Sequence, residues 1–169
     1  DSSCKFTSRN FFAMSSKTLN YSCTIEQANA SELPQTDRDL LAAAHKAALQ
    51  AYAPYSKFQV GAAARLENGQ IVLGANQENM SYPQGMCGER IAVFTAGAQH
   101  PGVAIETVAI VSPSPIANPN AFMPCGGCRQ VLLESEQRQS GAIRLLLQAR
   151  DEAVLISESA ANLVPFAFD

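Results

Sequence analysis

Apolar and polar residues change their period several times along this 169-residue chain, and each change marks an element. Leu40, Leu41, Ala44, Ala48 and Leu49 recur at helical spacing behind a helix entry at Pro34 to Asp37, which predicts a packing helix that Pro54 ends. Phe58 to Leu66 and Gln70 to Ala75 are strand-like runs on either side of Glu67-Asn68-Gly69. Asn-Gly between two such runs predicts a β-hairpin. A second helix is expected over Gly85 to Gln99, with Ile91, Val93, Phe94 and Ala98 as its apolar positions. Thr107 to Ser112 reads as a buried strand, and a loop rich in Pro and Ser follows it through Pro113, Pro115 and Pro119 to Pro124. A third helix over Cys128 to Arg138, a strand over Ile143 to Gln148 and a short one at Val154 to Ile156 complete the pattern. One more short strand is expected at Tyr21 to Ile25. There is no internal repeat and no low-complexity tract.

Strands alternating with helices predict a layered α/β domain, and the hairpin makes its central sheet mixed. The length suits one domain, and 47% hydrophobic residues are enough to fill one core. Residues 1–33 are expected to be a tail with a short strand, and residues 34–169 the folded catalytic unit. Within the tail, Asp1 to about Ser16 show no sustained periodicity, their only apolar cluster is Phe11-Phe12, and Met14 is a candidate start. This opening lacks the hydrophobic centre of a signal peptide, and no apolar run approaches the length of a membrane span, so a cytoplasmic protein is expected.

Charge narrows the partners. A net charge of −3 argues against a nucleic acid held by many phosphate contacts, which would draw on clustered Lys and Arg. A small substrate is expected instead. Five cysteines is an odd count without a secretory signal, so metal or redox use fits better than a disulfide framework. Cys4 and Cys23 lie far from the other three and read as unpaired thiols.

Those three carry the chemistry. Cys87-Gly88-Glu89 and Pro124-Cys125-Gly126-Gly127-Cys128 supply three soft ligands and a carboxylate that is not a ligand. A structural zinc site is closed by four side chains, whereas a catalytic one keeps a corner open for water. Both motifs sit where helices begin, so two helix N-termini would converge on the metal and help hold the sulfurs as thiolates. Arg90 is the side chain available to offset the excess negative charge around Zn2+. Glu89, two positions from Cys87, would lie on a different azimuth from the thiolate and reach the open position without filling it, as a general base must. This is the signature that zinc deaminases carry.

Each residue also has a plainer reading. Cys125 and Cys128 alone could be a redox pair or half of a structural knot closed by Cys23, His45 or His100. Glu89 alone would be a solvated helix carboxylate, and Arg90 a surface charge.

Further motifs extend the pattern. Tyr55-Ser56-Lys57-Phe58-Gln59-Val60-Gly61-Ala62-Ala63, Gly74-Ala75-Asn76-Gln77-Glu78-Asn79, Ser81-Tyr82, Cys87-Gly88-Glu89-Arg90 and Pro124-Cys125-Gly126-Gly127-Cys128-Arg129-Gln130 closely resemble the small, homotetrameric cytidine deaminases. The resemblance runs from about Pro34 to the C-terminus. It implies a three-layer α/β/α sandwich, one Zn2+ per subunit held by Cys87, Cys125 and Cys128, and Glu89 as proton shuttle. It also implies that Asn76 and Glu78 bond ribose hydroxyls, that Phe58 packs on the pyrimidine, and that the Gly88 backbone and the Glu89 side chain read the base edge. Sites in that family are completed by neighbouring subunits, which makes Tyr82 and Phe168 candidates for another chain's pocket. By spacing alone, Asn76 and Glu78 are equally a polar strand end, Phe58 a core residue, and Tyr82 and Phe168 interface residues.

The expected activity is hydrolytic deamination of cytidine and 2'-deoxycytidine with release of ammonia, a step of pyrimidine salvage. A deaminase of another aminated nucleoside, such as a blasticidin-type antibiotic, and a non-enzymatic zinc-stabilised binding module are the alternatives. Gly88 stands where the family commonly has alanine, which is expected to loosen the first helical turn and alter base selection.

Overall fold

The computed structural model describes residues 17–150 and 153–168. The expected tail over Asp1 to Ser16, with Cys4, Phe11, Phe12 and Met14, lies outside the described residues. In chain order the elements are β1 (Glu26–Asn29), α1 (Gln35–Ala48), β2 (Gly61–Leu66), β3 (Ile71–Ala75), α2 (Gly88–Gln99), β4 (Ile105–Ser112), α3 (Gly126–Gln137), β5 (Arg144–Ala149) and β6 (Ala153–Ser157), with short 3-10 turns between them. The strands form one six-stranded sheet in the order β1-β6-β5-β4-β2-β3. β4 and β5 are parallel and every other pairing is antiparallel, so the sheet is mixed as predicted.

Side-chain alternation divides the core into two. Val108 and Ile110 of β4, Leu145 and Leu147 of β5 and Leu155 of β6 pack with Ala92, Val93 and Ala96 of α2 and Leu132 of α3. Their neighbours Ala109, Val111, Leu146, Val154 and Ile156 pack on the other face with Leu40, Leu41, Ala44 and Ala48 of α1. A strand that shows apolar residues to both faces loses the polar alternation of a surface strand, which is why β4 is almost continuously hydrophobic. The result is the three-layer α/β/α sandwich.

Two glycines set how close the helices come. A Cβ on Gly61 would lie 2.1 Å from the Ala44 carbonyl oxygen, and one on Gly74 would lie 2.2 Å from the Gly88 carbonyl oxygen. Small residues on both sides thus let α1 lie directly on β2 and α2 on β3. Asp37, in the first turn of α1, is buried and accepts bonds from Arg65 of β2 at 3.4 Å and from Arg144 of β5, tying helix to sheet at the end away from Gly61.

Several elements differ from their expected positions. The first strand is at Glu26–Asn29, not Tyr21 to Ile25; a mostly polar edge strand follows the free edge of β6 and has no hydrophobic period to announce it. Instead, Tyr21 stacks on Phe166 at 4.2 Å and Thr24 exchanges two bonds with the Asn162 amide. α1 ends at Ala48, short of Pro54, because the chain leaves to pair Tyr52 with Gln77, and Leu49 is left exposed. β2 starts at Gly61, since the N-H groups of Phe58, Gln59 and Val60 bond to side chains of Ser56, Ser114 and Asn76 and not to a strand. The helix α2 begins at Gly88 and buries Ala92, Val93 and Ala96, while Phe94 stands half exposed.

Gly61→Ala is expected to destabilise the protein by about 3 kcal/mol, the upper part of the usual overpacking range, because the obstructing atoms are helix backbone. The check is the shift of the urea unfolding midpoint at unchanged slope.

Candidate metal centre

Two helix N-termini meet at the thiols. Cys87 caps α2 and Cys125 caps α3; both are extended and neither sulfur accepts a capping bond from its own helix backbone, so each is left for another partner. Cys128, in the first turn of α3, brings its sulfur to 3.5 Å from that of Cys125. The three sulfurs all lie within 4.8 Å of one another. Their burial is graded, with Cys125 exposed, Cys87 partly buried and Cys128 fully buried. Unpaired N-H groups and the positive dipole ends of both helices favour negative charge at this point.

Proton sharing within the cluster is unequal. The Cys128 thiol, hydrogen-bonded to Cys87, lowers the pKa of Cys87 to about 7 against the effect of burial, and the Arg90 charge adds to the lowering. Cys128 is pushed up by its bond with Cys87, by burial and by the nearby Glu89. Cys87 therefore gives up its proton more readily than Cys128. A divalent cation would displace the protons and turn the group into a tridentate thiolate site.

Glu89 and Arg90 flank this group as expected. Glu89 is 5% exposed, and its Oε2 is buried without a hydrogen-bond partner. A buried carboxylate oxygen with no partner is costly unless a ligand completes it. The Arg90 Nε is buried and unpartnered as well, beside a cluster whose metal-bound form carries excess negative charge. These orphaned atoms, together with a soft three-sulfur donor set, fit zinc with a fourth position open.

The fourth ligands of a closed knot are elsewhere. His45 pairs with Gln148 at 2.8 Å on the α1 side, His100 caps the far end of α2, and Cys23 is exposed. Among the described residues the metal-ligating cluster is Cys87, Cys125 and Cys128 alone.

Beside the thiols opens a cavity of about 460 Å3, lined by Phe58, Asn76, Glu78, Tyr82, Glu89, Cys87 and Cys125 among others. Its outer wall is the segment from Tyr55 to Val60, which side chains hold in place. Val60 N-H donates to Asn76 Oδ1 at 2.8 Å, and Asn76 Nδ2 donates to the Phe58 carbonyl at 2.9 Å. Tyr55 N-H, Ser56 N-H and the Ser56 hydroxyl all donate to the Glu78 carboxylate, which lowers its pKa, the hydroxyl having the largest effect. Ser114 Oγ accepts from Gln59 N-H and donates to the Lys57 carbonyl, holding Lys57 at φ +59° in the left-handed region. An amide and a carboxylate have more valences than these bonds consume, so Asn76 keeps one N-H and one lone pair, and Glu78 one acceptor site, for a ligand.

The other candidates are placed less uniformly. Tyr82 lines the cavity of its own chain, meeting Tyr55 edge to face at 6.0 Å. Phe168 does not: it is 85% exposed and lies by a groove of about 730 Å3 between α2 and α3 that no cysteine lines. Gly88 is buried. A Cβ there would lie 2.8 Å from the Val60 carbonyl oxygen and 3.3 Å from Asn76 N, both in residues that line the cavity, so this glycine lets α2 approach the hairpin closely. Phe122, inside the Pro-rich loop, was not among the candidates, yet it lines the cavity and packs on Phe58 with ring centroids 6.4 Å apart. An aromatic shortly before Pro124-Cys125 was the only sequence signal for it.

The fold and the site together define a three-sulfur zinc-binding centre in a three-layer sandwich, with a buried, unpartnered carboxylate oxygen near the thiols. The family model for the cytidine and deoxycytidylate deaminase zinc-binding region matches residues 34–141, and the chain belongs to this family. A cytidine deaminase of Mycobacterium tuberculosis is 43% identical over 103 residues, 60% of this chain and 74% of that one. One of Halalkalibacterium halodurans is 37% identical over 118 residues, 70% of this chain and 83% of that one. The crystal structure of cytidine deaminase from Burkholderia pseudomallei superposes with a TM-score of 0.68 at 38% identity, covering 78% of this chain and 98% of that one.

Gly88→Ala is expected to cost about 1 kcal/mol, the lower end of the overpacking range, since backbone on the hairpin side must yield. Thermal unfolding measures the loss, and unchanged stability would show that the hairpin gives way freely.

Proposed function

We propose that this protein catalyses the zinc-dependent hydrolytic deamination of cytidine and 2'-deoxycytidine, forming the uridines and ammonia. The observation that carries the reading is the buried, unpartnered Glu89 Oε2 beside three thiols that leave one metal position open. Bound by Cys87, Cys125 and Cys128, zinc supplies the Lewis acidity that makes water a nucleophile near neutral pH.

The chain's own residues do the rest. Glu89 takes a proton from the attacking water and passes it to N3 of the base as the water oxygen bonds to C4. In a second transfer it takes the remaining proton of the new C4 hydroxyl and delivers it to the exocyclic amine, so that the C4 carbonyl forms as the C4-N bond breaks and ammonia leaves. The positive ends of α2 and α3 offset charge around the thiolates, with Arg90 behind Cys87. Phe58 and Phe122 offer an apolar wall for a planar ring. The Gly88 N-H, unpaired at the start of α2, is aimed at the base edge. Asn76 and Glu78 turn their remaining valences toward the sugar hydroxyls.

The larger assembly is part of the same proposal. Residues 34–169 form the catalytic unit and residues 1–33 an appended segment. The chain acts as a homotetramer, with Tyr82 and the distant Phe168 completing neighbouring sites, in cytoplasmic pyrimidine salvage. Supporting the small-molecule reading, no described helix is long and apolar enough to cross a membrane, and net charge is −3.

Glu89→Gln is expected to keep fold and zinc while turnover falls by at least about 100-fold, the lower bound for losing a general acid-base group. Metal analysis and ammonia release measure the two; turnover near the parent's in a zinc-replete variant would remove the shuttle role. Assayed on nucleosides, free bases and aminated nucleoside antibiotics, the parent protein is expected to release ammonia from cytidine and deoxycytidine. Release from an antibiotic alone would reassign the substrate.

A further inference from the structure

We propose that Arg129 is a positioning residue for the metal centre, bolting the loop that carries Cys125 to the C-terminal segment; this rests on the ligand set proposed above. Arg129 follows Cys128 directly, and its backbone N-H donates to the Cys125 carbonyl at 2.9 Å as α3 begins. Its side chain turns back along the loop. Nε donates to the Pro124 carbonyl at 2.8 Å and Nη1 to the Leu163 carbonyl at 3.4 Å, both partly buried.

The Pro124 carbonyl belongs to the peptide that enters Cys125. Holding that oxygen fixes the plane of this peptide and so the direction in which the Cys125 sulfur leaves the backbone. Cys125 needs such help more than its partners do, because it is the exposed ligand of the three.

The other end of the bolt is firmly seated. Leu163 is 6% exposed and ends the 3-10 turn Ala161–Leu163. Glu136 of α3 accepts from Ala160 N-H at 2.8 Å and Ala161 N-H at 3.1 Å, while the Asn162 amide bonds Thr24 on both its N-H and carbonyl and also donates to Ser157 Oγ. A guanidinium presents its donors in a rigid fork that spans two carbonyls, whereas an ammonium is a single point of donation. Groups that orient metal ligands from outside typically change metal affinity by about 10–100-fold when removed.

The test follows zinc release to a chromophoric chelator from the parent, Arg129→Ala, Arg129→Lys and Asn162→Ala, each loaded with zinc. Arg129→Ala is expected to release zinc about 10–100-fold faster than the parent, with Arg129→Lys between the two. Asn162→Ala, which loosens the C-terminal anchor but leaves the bond from Arg129 to Pro124 in place, is expected to release zinc at a rate between those of the parent and Arg129→Ala. Release from Arg129→Ala at the parent's rate, or equal acceleration by Asn162→Ala, would overturn the positioning role. If Arg129→Ala does not fold, the lysine variant decides, a parental rate counting against the proposal. A parent that binds no zinc would remove the ligand set, and this role with it; a zinc-loaded parent with an unaffected arginine variant would remove Arg129 alone.

Discussion

Three sulfurs held within 4.8 Å of one another are the constraint on which the rest of the structure turns. Three thiolates in so small a volume repel one another unless a cation is shared among them, and the bond with Cys87, burial and the neighbouring Glu89 push the Cys128 thiol up. The fold brings two helix N-termini to the same point and so offers positive potential from two directions. It manages this because α2 and α3 lie on one face of the sheet and both start at the same end. Close approach is required, and Gly74 under α2, with Gly88 against Val60, gives the backbone room for it.

Beside the metal centre, polar side chains carry two duties. The segment from Tyr55 to Val60 has no strand to pair with along most of its length, and Asn76, Glu78 and Ser114 supply the bonds that a ladder would have supplied. Those same residues, or their neighbours, face the cavity. A ligand that takes the remaining valences of Asn76 and Glu78 therefore also meets the groups that fix its own wall, so binding and wall order are coupled through a few hydrogen bonds. The left-handed Lys57 is tolerated because these bonds over-determine the segment.

Volume alone is a poor guide to the chemistry. The groove between α2 and α3 is larger than the cavity beside the thiols, but among the described residues the buried, unpartnered carboxylate and the metal-ligating cluster are at the cavity. Phe94, half exposed, lies along it with Phe168, so the largest of the apolar residues expected in α2 is on its outer side, while Val93 is buried. Small residues on the inner side, Ala92 and Ala96, do the packing.

Much of this was legible in the chain. Asn68-Gly69 announced the hairpin, the alternation of strands and helices announced the layers, and two short motifs announced the ligands and the carboxylate, because turn chemistry, hydrophobic period and metal-ligand spacing are local properties. Their failures were local too: the edge strand at Glu26–Asn29 has no apolar period, and the end of α1 was set by the pairing of Tyr52 with Gln77, not by Pro54. Only tertiary structure could decide that Gly88 lies against the Val60 carbonyl, that Phe122 joins Phe58 across a long loop, and that Arg129 spans Pro124 and Leu163. Each of these depends on distances between segments far apart in sequence, which packing sets and no local pattern encodes.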